Sequence, residues 1–547
     1  MADGQSHPSM RWWGWGVDAD AHGLPAHAEG FLAEATGVTG ALLQPVALEQ
    51  VQVPASTLGE SERARLAAIV GAEHVREDHS ERVLHAAGKG YPDLVLLRSG
   101  RPEGAPDAVV HPADHDQVRA VLQACAERSL AVVPFGGGTS VVGGVAPLRG
   151  SHNAVVCLDL GRLSGLIDLD ERSMTARVGA GTRGPQLEGL LAPRGLTLGH
   201  FPQSYEYVSL GGCVATRSAG QASTGYGAIE KMVLGLRLAA PAAEISLPPL
   251  PASAAGPGLR QLLVGSEGTL GVISEVSLRL REKPACRRYE GLFFADFGAG
   301  QEALRALARD HALPDVARLS DEAETGMSLA LAGSGGVKGL LGDAYLRLRG
   351  YRGGCLAIMV FEGSEYEVAL RHRRAQRILR RHGALSLGSS PGRSWERGRF
   401  GAPYLRDDLL SRGVMVETLE TATQWSRLDE LHRGVTKAIE RELAAQGTPG
   451  LVMCHVSHVY ETGASLYFTF IAAQRQGAEI EQWQALKRAA GDAILAGGGT
   501  ITHHHAVGRD HVPWMEREVG PGGLEALRAV KERLDPAGIM NPGKLLP

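Results

Sequence analysis

Glycine is bunched along this chain: of 72 glycines, dense groups fall at 136–144, 211–227, 265–271, 333–342 and 497–508. A residue without Cβ is required where backbone turns through left-handed space or presses closely on another group. The clusters therefore predict loops wrapped against something, separated by ordinary helix and strand. At 547 residues with 44% apolar composition, the chain exceeds what one hydrophobic core supports and has enough apolar matter for two or three.

Local patterns place the first cluster. Asp114 reads as the cap of a helix whose apolar face is Val118, Val121, Leu122 and Cys125, followed by a strand at 130–134 that runs into the glycines. A second strand, AVVCLD at 154–159, follows, and an alternating strand at 272–280 ends before Pro284. From about 285 to 480, strands such as 356–361 and 465–470 alternate with Arg-, Glu- and Ala-rich helices, which predicts an antiparallel sheet with helices on one face. The stretch 524–534 reads as a short amphipathic helix before turns at Asp535-Pro536 and Asn541-Pro542-Gly543.

Bulk charge excludes some partners. A formal charge of −4 gives no general attraction to nucleic acid. The basic run Arg371, Arg373, Arg374, Arg377, Arg380 and Arg381 is interrupted by Val368, Leu370 and Ile378 at helical spacing, so it predicts a solvated helix face. The six cysteines (Cys125, Cys157, Cys213, Cys286, Cys355, Cys454) are scattered without a C-x-x-C pair, as buried thiols in a reducing compartment would be. The start carries no signal-peptide pattern and no run of 18 apolar residues occurs, so a cytoplasmic protein is expected. The end, Lys544-Leu545-Leu546-Pro547, is not a peroxisomal address.

The glycine loop Pro134-Phe135-Gly136-Gly137-Gly138-Thr139-Ser140 allows several N–H groups to point at one anion. It lacks the spacing of G-x-G-x-x-G and the lysine of a P-loop, and on its own a structural turn explains it as well. Two more segments accompany it: Gln203-Ser204-Tyr205-Glu206-Tyr207-Val208-Ser209 with Thr216-Arg217-Ser218-Ala219, and Glu267-Gly268-Thr269-Leu270-Gly271-Val272-Ile273. In this order and spacing the three resemble the FAD domain of the vanillyl-alcohol oxidase and p-cresol methylhydroxylase superfamily. The resemblance implies an α+β fold: a two-subdomain FAD-binding domain at 100–282, an antiparallel-sheet substrate (cap) domain at 283–500, an N-terminal helical or extended region at 1–99 and a C-terminal segment at 501–547. It also implies that 134–140 holds the pyrophosphate while the other segments line the rest of the cofactor. Neither glycine segment offers a His or Cys for flavin attachment, so non-covalent FAD is expected.

MRWWGWG near the start, PFGGGTSVVGG, GHFPQSYEYVSLGGCVATRSAGQ, GSEGTLGVIS, ARLSDE, ETGASLYFTF and GGTITHHHAVG resemble the alkyldihydroxyacetonephosphate synthase family over nearly the whole chain. That family exchanges the acyl group of acyl-dihydroxyacetone phosphate for a fatty alcohol, a step of ether-lipid synthesis without net redox change. By this resemblance Tyr467 is the catalytic tyrosine, Arg406 grips the substrate phosphate, and Arg318, His503, His504 and His505 complete the site. Imidazoles near neutrality can donate, accept or shuttle protons.

The rival is a flavin-dependent D-2-hydroxyacid dehydrogenase of the same superfamily, which typically shows GHxGDGNxH and G-E-H-G-x-G. Here the matching stretches read CHVSHVYETGASLYF and THHHAVG, with Tyr467 where that family has a histidine. His455, His458 and His504 could gather a divalent ion, but no partner carboxylate is evident, and no metal site is predicted. The segment 333–352 interleaves leucines with Lys338, Arg347, Arg349 and Arg352, suited to a membrane surface or to a loop over the site. A homodimer is compatible with all of this.

Overall fold

The computed structural model describes residues 10–40, 42–333 and 353–547. Apart from Gly333, the segment 333–352 read above as suited to a membrane surface or to a loop over the site lies outside the described residues.

The first sheet has four strands in the order Val75–Arg76, Ala108–Val110, Ala154–Asp159, Leu130–Phe135; the first pair is antiparallel and the others are parallel. Asp114 caps the helix His115–Arg128 by accepting from the Gln117 N–H at 2.8 Å. Its Val118, Val121, Leu122 and Cys125 are wholly buried against the sheet. The strand at Leu130–Phe135 thus ends at a fixed point, and the glycine loop leaves from there. The second sheet is antiparallel, in the order Leu166–Asp170, Thr175–Gly179, Val272–Arg279, Val233–Ala239, Glu244–Leu247.

The third sheet has seven antiparallel strands in the order Leu385–Gly388, Cys286–Phe294, Cys355–Gly363, Val316–Ser320, Gly450–Val459, Gly463–Ala473, Val414–Gln424. Successive side chains on a strand point to opposite faces. Leu466, Phe468 and Phe470 therefore enter the core beneath the helices Phe297–Arg309, Glu365–Arg381, Leu428–Ala445 and Glu479–Ala496, and Tyr467 and Thr469 turn the other way. Cys454 and Val456 go down and His455 goes up; Leu319 goes down and Arg318 up.

The expectation of helices on one face is corrected. The helices Glu29–Thr36, Glu322–Leu331 and Ala402–Ser411 cover part of the second face, because Val416, Met453 and Ile471 make that edge apolar and pack with Leu32 and Leu409. Two features of the basic helix also differ. Arg371 donates to the Leu313 carbonyl and to Asp315 at 3.0 Å each, so it ties the helix to the sheet, while Leu370, counted among the apolar interruptions, is exposed. All six cysteines are free, and Cys286 is only partly buried. No helix among the described residues is long and apolar enough to cross a membrane.

The last helix begins earlier than the sequence suggested, at Met515, and bends at Gly520 (φ 74°) before Pro521. Beyond Leu534 the chain returns to the first sheet: Val132 donates to the Ile539 carbonyl at 2.8 Å and accepts from the Asn541 N–H at 2.8 Å. The Asn541 amide then donates to the Gly144 carbonyl (3.1 Å) and the Glu267 carbonyl (2.7 Å), joining two glycine loops that are far apart in sequence. Replacing Asn541 with Ala should cost about 1–3 kcal/mol by leaving those carbonyls without donors. Thermal denaturation followed by the appearance of free-flavin fluorescence checks this, with earlier flavin release expected.

Candidate active site

The three sheets enclose a cavity of about 500 Å³. One end is walled by 134–141, Gln203, Ser204, Val208, Ser209, Thr216, Ser218, Ala219, Glu267, Gly268, Gly271, Val272 and Ile273. Among the described residues the N–H groups of Gly137, Gly138 and Thr139 have no protein acceptor, as a loop that receives a pyrophosphate requires. The glycines are demanded by protein as well as ligand: a Cβ at 137 would stand 2.2 Å from the Tyr207 carbonyl oxygen, and Gly138 has φ 65°. The donor set and the length of the wall fit FAD.

Several residues assigned to the cofactor wall lie elsewhere. The tight turn in which Tyr205 and Tyr207 N–H groups bond back to Pro202 and Ser204 shows Gln203 and Ser204 to the cavity and turns the next side chains away. Tyr205 stacks on Phe400 at 5.4 Å, Glu206 accepts from the Tyr404 hydroxyl at 3.2 Å, and Tyr207 meets Trp15 edge-on. Arg217, at φ 53°, points out to Gln261 and Glu230. Thr269 bonds the Ser266 carbonyl, and Leu270 is in the core of the second sheet.

The opposite wall carries Arg318, Arg406, His455, Tyr467, His504 and His505. Strand register brings some of these together: His455 pairs with Tyr467 on one side and with Ser320 on the other, and Glu420 pairs with Tyr467. The three consecutive histidines converge on Glu420, which the sequence reading did not identify. Its buried carboxylate accepts the N–H of His503, of His504 (2.9 Å) and of His505 (2.7 Å), together with the Thr502 hydroxyl at 2.8 Å. With their backbone drawn to one point, the rings fan outward. His504 and His505 reach the cavity with ring centres 5.9 and 5.4 Å from Tyr467. His503 does not line the cavity; it turns back to the Tyr460 hydroxyl and His458. The only signal for Glu420 in the sequence is a second carboxylate in the strand VMVETLETATQ, whose neighbours are mostly apolar or β-branched.

Electrostatics follow burial. Burial lowers His504 to about 3 and also lowers His505, so both imidazoles are neutral at neutral pH. Burial raises the Tyr467 phenol to about 12. A protonated phenol beside neutral imidazoles is a pair that can pass a proton in either direction. Burial would raise Glu420, and the histidines and N–H donors around it outweigh that and hold it well below the carboxylate range.

Arg318 is engaged before any substrate arrives. Its guanidinium donates to Glu324 at 2.8 Å and to His455 Nε2 at 3.0 Å, and His455 Nδ1 meets Glu324 at 2.9 Å. The His455 ring, fixed by both partners, stacks on Tyr467 with centres 4.9 Å apart. Arg406 donates to the Lys89 carbonyl at 2.6 Å, and its Nε has no partner among the described residues. Lys89, buried beside it and lowered by burial to about 8, also lines the cavity. Beyond these cations the wall becomes apolar, with Met327, Leu331, Leu405, Leu409, Met453 and Ile471. Glu267 serves the wall through its backbone, because its carboxylate accepts the N–H groups of Val507 and Gly508 at 2.8 and 2.7 Å.

Burial would raise Glu324, but Arg318 and His455 hold it at about 2 against an ordinary 4.5. A depressed carboxylate contributes stability that is complete above its unfolded pKa and is lost as pH falls through the folded one. Glu324→Gln should thus be less stable than the parent at pH 7, by about 1.5–3 kcal/mol for a charged hydrogen-bonded group. The gap should narrow as pH falls from 4.5 toward 2, measured by urea denaturation across that range. A gap independent of pH would remove the ion-pair explanation.

The chain's matches to other proteins agree with this division. Residues 106–246 match the FAD binding domain family, and residues 283–545 match the C-terminal domain of FAD linked oxidases. The alkyldihydroxyacetonephosphate synthase of Dictyostelium discoideum is 34% identical over 482 residues, covering 87% of this chain and 79% of that protein. A crystal structure of an alkyldihydroxyacetonephosphate synthase superposes with a TM-score of 0.86 at 29% identity, over 98% of this chain and 99% of the other. That of p-cresol methylhydroxylase, at 15% identity and TM-score 0.65 over 90% and 98% of the two chains, shares the fold. With an FAD-binding domain and a seven-stranded sheet of the FAD linked oxidase C-terminal type joined by one cavity, the chain belongs to the alkyldihydroxyacetonephosphate synthase family of FAD-dependent enzymes.

Proposed function

We propose that the protein exchanges the acyl group of an acyl-dihydroxyacetone phosphate for a long-chain alcohol, with FAD bound non-covalently. The observation that carries this reading is the continuity of one cavity: flavin wall, Tyr467 with two neutral histidines, a cationic corner at Arg406 and Lys89, and an apolar end. A phosphate, a reacting carbon and a hydrocarbon chain need that sequence of environments. The reaction balances without oxidant: the bond from C1 to the acyl oxygen breaks, the alcohol oxygen bonds to C1, and the alcohol proton leaves with the fatty acid. When bound, the flavin supplies an electron-poor ring against which the substrate carbon is activated.

The chain's own groups supply the rest. Arg406 Nε, buried without a partner, is a free donor for the phosphate, with Lys89 adding charge. Tyr467 passes its phenolic proton to His505, the neutral acceptor beside it, takes the C1 proton and later returns it, with His504 flanking the phenol ring. Arg318, held by Glu324, keeps His455 flat against the tyrosine ring. The apolar end takes the leaving acyl chain or the entering alcohol chain. Cys213, which also lines the wall, is raised by burial to about 12, so it is a poor nucleophile and supports non-covalent flavin.

Tyr467→Phe should lower kcat by about 100-fold or more, the usual share of a positioned acid–base group, with flavin content unchanged. Arg406→Ala should raise KM for the phosphorylated substrate about 10- to 100-fold, as expected for a charged hydrogen bond. Product formation from acyl-dihydroxyacetone phosphate and a fatty alcohol is the assay. Stopped-flow bleaching of the flavin by a D-2-hydroxyacid alone, with no alcohol-for-acyl exchange, would overturn the reading in favour of a dehydrogenase.

A further inference from the structure

Behind the cavity wall three imidazoles from two separate segments meet. His458 comes from the strand Gly450–Val459, and His503 and His504 come from the loop pinned by Glu420. One ring nitrogen of each lies within 4.8 Å of those of the other two. This is not the trio His455, His458 and His504 suggested by the sequence, because His455 is held by Arg318 and Glu324. The site joins His503, which turns away from the cavity, to His504, which lines it.

The spacing suits a metal ion. His503 Nδ1 and His504 Nδ1 are 2.9 Å apart. Two nitrogens held by one ion at about 2.0–2.1 Å, with an angle between square and tetrahedral, stand about 2.9–3.4 Å from each other. The ring of His458 is centred 5.1 Å from that of His503 and 5.5 Å from that of His504. Metal-binding histidines almost always fix their orientation through the second ring nitrogen. That arrangement is present at two of the three: His503 Nε2 meets the Tyr460 hydroxyl, and His458 Nε2 meets the Gly220 carbonyl at 3.0 Å. Among the described residues His458 Nδ1 bonds the hydroxyls of Ser457 and Ser465, and these also bond each other at 2.7 Å, so freeing that nitrogen leaves them partnered. The buried Glu420 carboxylate lies 3.5 Å from His504 Nδ1 and 3.9 Å from His503 Nδ1. Its oxygens are already taken by backbone N–H groups, so it stands as a counter-charge and not as a ligand.

We propose that His458, His503 and His504 form a binding site for one borderline divalent cation of the zinc class, placed behind the flavin-facing wall. Three imidazoles with no carboxylate ligand select such an ion over magnesium or calcium. A bound ion would hold the His504 ring in its position against Tyr467 and would tie the loop at 503–505 to the strand that carries His458. A proton shared between His503 and His504 is the competing explanation of their short contact, and it does not account for the approach of His458 to both.

The test uses the full-length flavoprotein, stripped with chelator, incubated with a slight excess of Zn2+ and desalted, with metal counted by mass spectrometry. About one equivalent per chain is expected. His458→Ala should weaken zinc binding by more than the about 10- to 100-fold typical of losing an outer-shell partner, while His455→Ala should retain the metal. Flavin content and circular dichroism report whether each variant has folded. Should His458→Ala fail to fold, Co2+ added to the unaltered stripped protein decides: visible ligand-field bands that Zn2+ displaces support the site. Absence of retained zinc in the folded parent, absence of such bands, or equal zinc retention by folded His458→Ala would overturn it. None of these readouts depends on the exchange reaction, so the site stands or falls separately from the proposed activity.

Discussion

The carboxylate of Glu420 organises the wall that carries Tyr467 and the histidines. A loop of three histidines has no regular structure of its own, and its N–H groups would be costly to bury without acceptors. Glu420 accepts all three and the Thr502 hydroxyl besides. With the backbone gathered at one point, adjacent rings must diverge, two entering the cavity and one turning behind it. The carboxylate is placed by the strand Val414–Gln424, in register with Tyr467, so tyrosine and histidines are set by the same strand pair.

A second buried carboxylate, Glu324, does the corresponding work on the neighbouring strands. It joins Arg318 and His455 and leaves the imidazole flat on Tyr467. Arg318 therefore acts through its neighbours, whereas Arg406 retains a free donor at the cationic corner. Both carboxylates stay ionised despite burial because the donors and charges around them outweigh desolvation. The flavin side is tied to this wall by Glu267, which grips the chain just beyond the histidines, and by Asn541, which joins Glu267 to the first glycine loop. The wall of Tyr467 and the histidines and the wall of glycine loops are thus one hydrogen-bonded unit.

The hydrophobic core explains why such polar devices hold their positions. On the underside of the seven-stranded sheet, Leu466, Phe468 and Phe470 are buried completely beneath four helices. A slip of one residue would exchange those side chains with Tyr467 and Thr469, placing polar groups in the core. The register that presents Tyr467 is therefore secured by the apolar residues on either side of it.

By itself the sequence determined local features with short-range physical causes: the Asp114 cap, the strand leading to the glycine loop, and the alternation that sends Tyr467 opposite to Phe468. It also showed the three histidines as a run, because adjacency in sequence is visible there. Only the tertiary structure decided which of them face the cavity, that Tyr205, Glu206, Tyr207 and Arg217 turn away from the flavin wall, and that Arg318 is committed to Glu324. Those outcomes depend on partners distant along the chain, such as Glu420 and Tyr404, and on turns whose side-chain directions no periodicity encodes. Burial, which sets the protonation of Tyr467 and its histidines, exists only once the three sheets have closed around the cavity.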